Sequence, residues 1–501
     1  MNKKLIYMSL LSATMLLGSC GEDFLEQEPY DAVPVGEAIN SPAELQTAVF
    51  GMYASLRTAD AYGRTIPVLG DLMADNTYVA PLNSGRYLVQ NVYRTEAVTG
   101  EPREIWTALY ASILRANQII NADIPSTPVV EQLKGEAYAV RALAYHELVK
   151  FFAQPFTVAP NAPGVPIITE FDPENPTDYY VGSQPSRNSV AEVYELIISD
   201  YQTAYELMEG NFVNSSYMNK WAARALQARA YLFMGAYEEA EEAALDVVTN
   251  SGFELVELDG FLDYWASRTP SSAKEETLFE ISYDDIDNVG TNALANIYNQ
   301  AGYGDILATE ELVSLYGEND IRGIIPNVDD EGARYIVDET DGDTINITAA
   351  PVILVGARGN VEPAYINNKY QYVSGDRNEV KVIRYAEVLL ILAEAYARTG
   401  EEAKALEILN ELAEARNAAP LVGLAGDELL EAIIVERRKE LAFEGHRFWT
   451  LARLNLPIER EPEQPASTAL IEVGNFRRIF PIPQAEIDAN PNIEQNPGYG
   501  L

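Results

Sequence analysis

Two segments of the chain share a pattern of helix, glycine turn and helix, which limits the fold more than any other feature. The first spans residues 225–245 and turns at Gly235, and the second spans 393–409 and turns at Gly400. Alanines stand where the paired helices would cross, and glycine ends each first helix in a left-handed turn, as in tetratricopeptide repeats. Because the two turns are far apart, the pattern excludes a solenoid whose repeats follow one another without interruption.

The intervening sequence completes the prediction of a mostly α fold. Further helix pairs are predicted at 115–120 with 136–152 and at 190–208 with the helix that follows. Residues 250–380 instead contain short β-type runs, and the prolines of 155–185 predict an ordered loop. We therefore expect discontinuous tetratricopeptide-like repeats with a large insertion of loops and short strands. The predicted regions, together one compact unit, are helical repeats (20–250), the insertion (251–380) and a C-terminal region (381–501).

The first twenty residues are typical of a bacterial lipoprotein signal. Lys3 and Lys4 precede an apolar stretch over residues 5–17, which is shorter than the roughly 20 residues that a membrane-spanning helix needs. The stretch ends in Leu-Gly-Ser-Cys, and Cys20 is the single cysteine of the chain. We expect residues 1–19 to be removed and Cys20 to carry a lipid anchor.

Net charge limits the partners. The chain has 35 lysines and arginines against 76 aspartates and glutamates, a formal charge of −41. Nucleic acid is excluded as a partner, since an acidic surface releases no counterions on binding a polyanion. The same argument favours a neutral or weakly charged ligand.

Several segments, in order, resemble the SusD/RagB family of outer-membrane nutrient-binding lipoproteins. The matching stretches are Phe24-Leu25-Glu26 with Pro29; Tyr110, Ile113, Arg115, Ala116, Asn117 and Ile120; Arg141-Ala142 with Tyr145 and Phe151-Phe152; Ile383 to Leu390 running into Ala393-Glu394-Ala395; Glu436-Arg437, Glu440-Leu441 and Phe443-Glu444-Gly445 with Arg447; and Pro481-Ile482-Pro483 with Asn496-Pro497-Gly498-Tyr499. Thr450 departs from the pattern, because the family commonly has aspartate there.

The resemblance implies a SusD-like fold with four tetratricopeptide-like pairs. It also implies an outer-membrane lipoprotein that faces outward and pairs with a SusC-like TonB-dependent transporter. Its ligand would be an oligosaccharide or a peptide, held in extended loops and passed on without chemistry. No cofactor is implied.

The residues themselves predict no catalytic or metal centre. The sequence has no P-loop, no Gly-x-Ser-x-Gly elbow and no His-Glu-x-x-His motif, and it has two histidines. Glu436, Glu440 and Glu444 lie along one helical stripe among arginines, which favours a structural ion network. The acidic cluster 338–343 lacks EF-hand spacing and is predicted to be a hairpin turn rather than a calcium site.

The ligand is predicted to bind in the loop region 71–94, together with the insertion around Tyr298 and Tyr303 where the family places ligand contacts. Aromatic faces stack on sugar rings, and amide and guanidinium groups bond to hydroxyls. The predicted ligand-binding residues are Asn76, Tyr78, Arg86, Tyr87, Tyr93 and Tyr298. Trp265 is a further exposed-aromatic candidate.

Two other functions remain open. A secreted glycan-degrading enzyme on a helical scaffold would need paired carboxylates, which so acidic a chain could supply. A tetratricopeptide adaptor would have protein partners only.

Overall fold

A computed structural model describes residues 39–171, 184–371 and 378–500. Cys20 and the proposed signal lie outside these residues. The α-helices are α1 (Pro42–Leu56), α2 (Thr65–Leu72), α3 (Leu88–Asn91), α4 (Gly100–Ile120), α5 (Pro128–Phe152), α6 (Val190–Leu207), α7 (Lys220–Met234), α8 (Tyr237–Asn250), α9 (Phe261–Ala266), α10 (Leu294–Tyr298), α11 (Glu310–Ser314), α12 (Tyr385–Thr399), α13 (Glu402–Ala415), α14 (Gly426–Glu440), α15 (Arg447–Arg453) and α16 (Gln484–Ala489).

The strands are short and lie mostly in the predicted insertion. They are β1 (Thr77–Val79), β2 (Thr277–Ile281), β3 (Ile306–Ala308), β4 (Arg334–Val337), β5 (Thr344–Ile347), β6 (Ile353–Arg358), β7 (Val361–Asn367), β8 (Val380–Arg384), β9 (Ile458–Glu459) and β10 (Leu470–Ile471). A four-stranded sheet has the order β1-β3-β7-β6, and three antiparallel pairs join β2 to β8, β4 to β5 and β9 to β10. The mostly α fold with a short-strand insertion is confirmed.

Local signals start and stop the long helices. Ser41 and Thr127 cap α1 and α5 from their side chains, each ahead of a proline at the first helical position. Helix α7 ends at Gly235 (φ +72°) and α12 at Gly400 (φ +92°), a region that disfavours side chains. The predicted helix–glycine–helix pairs are therefore confirmed.

The helices form one stack although their repeats are interrupted in sequence. Each of α4 to α8 packs against the next, and α8 then packs against α12, which pairs with α13. The chain thus leaves the stack after α8, builds the insertion and returns at α12. Strands β2 and β8 pair where it leaves and returns, with Ile281 opposite Val380. This pairing places 380–384 in a strand, and α12 begins directly after it at Tyr385.

A buried ion network ties the insertion to the C-terminal helices, as predicted, but α14 ends at Glu440, so Glu444 joins the network from the turn after the helix and not from a helical stripe. Arg384 donates to Glu276 (2.7 Å), to Glu440 (2.9 Å) and to both carboxylate oxygens of Glu444. Arg416 and Arg322 also donate to Glu440. Burial disfavours ionisation of Glu440, but the surrounding arginines hold its pKa well below the usual range.

An acidic hairpin turn and the C-terminal tail complete the fold. Residues 338–343 form the turn of the β4–β5 hairpin, as expected, and no group of three potential metal ligands occurs among the described residues. The C-terminal tail contains one short helix, α16. Phe480 and Ile482 are buried, and the amide of Asn496 donates to Phe152 O and Phe480 O, so the tail closes the core at the end of α5.

None of the helices in the described ranges is both long and apolar enough to cross a bilayer.

Candidate ligand-binding surface

Pairing of β1 with β3 brings together loops that are far apart in sequence. Tyr78 lies opposite Leu307 in this antiparallel pair. The loop after β1 is held by the residue just before β3, because Ala80 N donates to Asp305 O (2.7 Å) and Ser84 N donates to its carboxylate (2.8 Å). Loop 80–87 therefore lies beside loop 299–305.

A partly exposed polar cluster, hereafter the loop surface, occupies this junction. Its members are Arg64, Ser84, Arg86, Asn292, Tyr303 and Arg358, none of which is fully buried. They come from the residue before α2, the loop after β1, the turn before α10, the loop before β3 and the end of β6. Five separate segments thus contribute to one surface.

Arg86 and Tyr303 form the centre of the loop surface. The Arg86 guanidinium carbon lies 4.2 Å from the centroid of the Tyr303 ring. The same guanidinium donates to Ser84 Oγ (2.7 Å) and to Asn292 Oδ1 (3.4 Å). Hydrogen bonds from Thr291 and Arg86, with the charge of Arg86, lower the pKa of Tyr303.

Arg64 and Arg358 extend the surface on the two sides of this centre. Arg64 donates from Nη1 to Asn292 Oδ1 (2.9 Å), the atom that Arg86 also approaches, and from Nε to Tyr87 Oη (2.6 Å). Arg358 donates to the backbone carbonyl of Tyr303. The surface therefore offers several guanidinium donors around an aromatic ring, a combination that binds planar or hydroxyl-rich ligands.

The structure buries five of the six predicted ligand-binding side chains. Relative exposure is 0% for Asn76, 4% for Tyr78, 2% for Tyr87, 4% for Tyr93 and 0% for Tyr298. A ring that stacks on a sugar must present an open face, so these tyrosines have none to offer in this structure. Their ligand-binding role stays a prediction. Arg86 is the one predicted residue that lies on the loop surface.

The buried residues instead support the loops. Asn76 bridges Asp71 (2.7 Å) and Arg438 (2.8 Å), and Tyr93 donates to the carbonyl of Met73. Tyr298 stacks on Tyr370 with ring centroids 6.1 Å apart.

Trp265 was expected to be exposed, and that prediction is wrong. The indole is 3% exposed and lies beneath Lys369 and Arg384, 4.6 and 5.2 Å from its centroid. Arg64, Asn292 and Arg358 escaped prediction, because local sequence carries no signal that five segments will converge.

A second concave feature lies on the helical repeats. A cleft of about 400 Å³ opens between α1, α5 and the loop before α7, lined among others by Val129, Gln132, Glu136, Val213 and Tyr217. Tyr217 packs against Phe50 and Tyr53, so its ring is already engaged. Burial raises the pKa of Glu136 to about 7, although hydrogen bonds from Gln132 and Tyr53 act in the opposite direction.

Glu136 should make folding stability depend on pH. An unfolded glutamate loses its proton near pH 4.3, so between that pH and about 7 only the native state keeps it, and stability falls as pH rises. Glu136→Gln stays neutral, and we expect its stability relative to wild type to grow by about 3 kcal/mol over this window. Urea unfolding at pH 4.5 and 7.5 measures this. A constant difference between Glu136→Gln and wild type at the two pH values would refute the assignment.

Two family models match the chain. Residues 331–499 match a family model described as the SusD family, and residues 23–232 match one described as "Starch-binding associating with outer membrane". The SusD-like protein P38 of Formosa agariphila is 27% identical over 99% of each chain. The SusD-like protein P2 of the same organism is 28% identical over 97% of this chain and 98% of its own.

Solved structures also superpose on most of this chain. A crystal structure described as a putative sugar binding protein from Bacteroides vulgatus superposes with a TM-score of 0.78 at 28% identity, covering 92% of this chain and all of the other. A SusD superfamily protein from Bacteroides thetaiotaomicron gives 0.75 at 28% identity, covering 91% and all, respectively.

Proposed function

The chain belongs to the SusD family, and on that premise we propose that it binds an oligosaccharide nutrient on the loop surface and delivers it to a TonB-dependent outer-membrane transporter. The observation that supports this most is Arg86 lying over Tyr303 where five segments meet. Guanidinium, amide and hydroxyl groups around a partly exposed ring match the hydroxyls and the apolar face of a sugar. One matching family is described as starch-binding and one similar solved structure as a putative sugar binding protein, and both descriptions point to the same ligand class.

The loop surface can be tested by removing its ring. Tyr303→Ala should weaken binding of the best ligand from a glycan array about fivefold to tenfold, because the stacking face and the support for Arg86 are both lost. Titration calorimetry measures the affinity. Tyr335→Ala is a matched control, since Tyr335 is also a partly exposed tyrosine but lies in the β4–β5 hairpin, outside the loop surface. Equal affinity of Tyr303→Ala and wild type would move the site elsewhere.

The same samples separate binding from catalysis. A binding subunit should retain the glycan without shortening it, so chromatography after prolonged incubation should return the input chain length. Shortened products would instead support a glycan-degrading enzyme. If the protein binds no glycan on the array but binds peptides in a separate assay, the ligand is a peptide.

Delivery implies a complex in the outer membrane. Detergent extracts of the native cell should contain the protein together with a TonB-dependent transporter of the SusC type. Affinity purification followed by mass spectrometry identifies the co-purifying protein. Purification with only soluble proteins would favour the adaptor alternative.

Cys20 is proposed to anchor the protein to the outer membrane, on the evidence of the lipobox-like Leu-Gly-Ser-Cys sequence. Cys20→Ala should release the protein from membranes or leave it unprocessed, because the thiol that accepts lipid is gone. Palmitate labelling and membrane sedimentation measure this, with Ser19→Ala as a control that keeps the thiol. A Cys20→Ala protein that still labels and sediments would rule out the anchor.

A further inference from the structure

We propose that the glycan bound at the loop surface carries negative charge, and that Arg64 and Arg86 together form the subsite for its carboxylate or sulfate groups. This inference rests on the proposed function and names the ligand class of the same site. It replaces the expectation of a neutral ligand, which followed from net charge alone.

The first argument is the pairing of arginines. Most buried arginines of the described residues, with the exceptions of Arg460 and Arg478, are neutralised by carboxylates, as in Arg141–Asp200, Arg229–Glu387 and Arg453–Glu394. The loop surface differs. Within the described residues the polar partners of Arg64, Arg86 and Arg358 are hydroxyl, amide and carbonyl oxygens, and none of the three forms an ion pair. In a chain of charge −41, three guanidinium groups without an ion pair concentrate positive charge on one surface.

The second argument is how close two of these charges are. Arg64 and Arg86 both point to Oδ1 of Asn292, at 2.9 and 3.4 Å. A neutral amide oxygen relieves little of the repulsion between two guanidinium groups, whereas an anion between them would relieve it directly. The nearest compensation is indirect, because Arg86 donates to Ser84 Oγ and Ser84 in turn donates to the Asp305 carboxylate.

The third argument is the type of donor. Guanidinium is planar, stays charged at all physiological pH values and matches the paired oxygens of carboxylates and sulfates. Tyr303 beside it supplies a ring for the sugar. The long-range repulsion from the acidic chain is screened beyond about 10 Å at 0.1 M salt, so contact chemistry at the subsite decides which glycan binds.

The test compares polymers of the same backbone with and without charge. The probes are polygalacturonate against its methyl ester, and κ-carrageenan against its desulfated form. We expect the protein to bind at least one charged member about tenfold more tightly than its neutral counterpart. The pair that shows the preference tells carboxylate from sulfate. The preference should shrink between 0.1 and 0.5 M NaCl.

Arginine variants assign the preference to the subsite. Arg86→Gln and the Arg64→Gln/Arg86→Gln double variant should lose it, while Arg94→Gln, at an exposed arginine outside the loop surface, should keep it. Tight binding of the neutral polymers, or an unchanged preference in Arg86→Gln with native circular dichroism, overturns the anionic subsite but leaves glycan binding intact. Binding of none of these polymers and of no glycan on the array overturns the proposed function as well. Stronger binding of polyglutamate than of any glycan would assign an acidic peptide and overturn both.

Discussion

Arg384→Met is expected to destabilise the protein by about 3–5 kcal/mol, the cost of leaving buried charge without its partner. The side chain is fully buried, and it donates to Glu276, Glu440 and Glu444 at once. Methionine fills a similar volume but neutralises nothing. Urea unfolding at pH 7 measures the loss.

A matched surface pair sets the scale for this effect. Lys404 and Glu401 lie 3.0 Å apart with about half of each side chain exposed. Lys404→Met should therefore cost far less than Arg384→Met, because water and salt screen the pair. A similar small loss in Arg384→Met would show that the buried network contributes little.

pH provides a second test of the same network. The pKa of Glu440 and of Glu444 is lowered in the native state, so the stability that they contribute is present above the unfolded value near 4.3 and is lost as pH falls below it. In Arg384→Met the carboxylates would take up protons more readily. The difference between variant and wild type should therefore shrink on acidification from pH 7 to pH 4.

Gly70→Ala is expected to destabilise the protein by about 3 kcal/mol, since the added methyl group would overpack a contact between backbones. A Cβ on Gly70 would overlap the carbonyl group of Gly445 and lie 2.6 Å from its Cα. Gly445 is equally constrained, with φ at +83° and Pro67 Cα 2.7 Å from the position of its own Cβ. Neither backbone can withdraw, because Gly445 N donates to Asp71 at 2.8 Å.

Gly51 provides the opposite expectation for the same substitution. It lies within α1, and a Cβ there would meet no atom within 4 Å. Gly51→Ala should stabilise the protein by about 0.5–1 kcal/mol, because alanine loses less backbone entropy in a helix. Thermal unfolding of the two variants should shift in opposite directions. A Gly70→Ala melting curve that matches wild type would contradict the backbone contact.

This contact also bears on the ligand site. Gly70 lies in α2, whose preceding residue is Arg64, and Asp71 binds Asn76 just before β1. The turn around Gly445, between α14 and α15, therefore fixes α2 and the start of β1, from which loop 80–87 extends. Late residues of the chain thus position an early loop, although neither segment contains a signal for the other.

Several features of the fold could be predicted from short stretches of sequence. Gly235 and Gly400 end their helices in left-handed conformations, and residues 338–343 form a hairpin turn. Glu436 and Glu440 lie on α14 and form ion pairs with arginines, as the helical stripe predicted, whereas Glu444 reaches its partners from the turn after the helix. Each of these follows from the conformational range of one residue or from the periodicity of one helix, and both are properties of neighbouring residues.

The candidate site was predicted only by region. The loop region 71–94 and the stretch near Tyr303 do meet. The tyrosines that were predicted to bind ligand are buried, however, and Tyr87 and Tyr93 are almost wholly covered. A tyrosine has the same composition whether its ring packs inward or faces water. The direction of the Tyr78 side chain is set by the pairing of β1 with β3. The directions of Tyr87 and Tyr93 are set by their own backbone, which has a positive φ at both residues.

The sequence by itself determined the helical repeats, their caps and turns, the interruption by a short-strand insertion and the family. Tertiary structure alone decided that α8 stacks on α12 across that insertion and that Arg64, Arg86 and Asn292 meet beside Tyr303. The physical reason is the separation along the chain over which each kind of interaction acts. Capping, turn geometry and helical periodicity act between residues a few positions apart, whereas a surface built from five segments depends on packing between residues hundreds of positions apart.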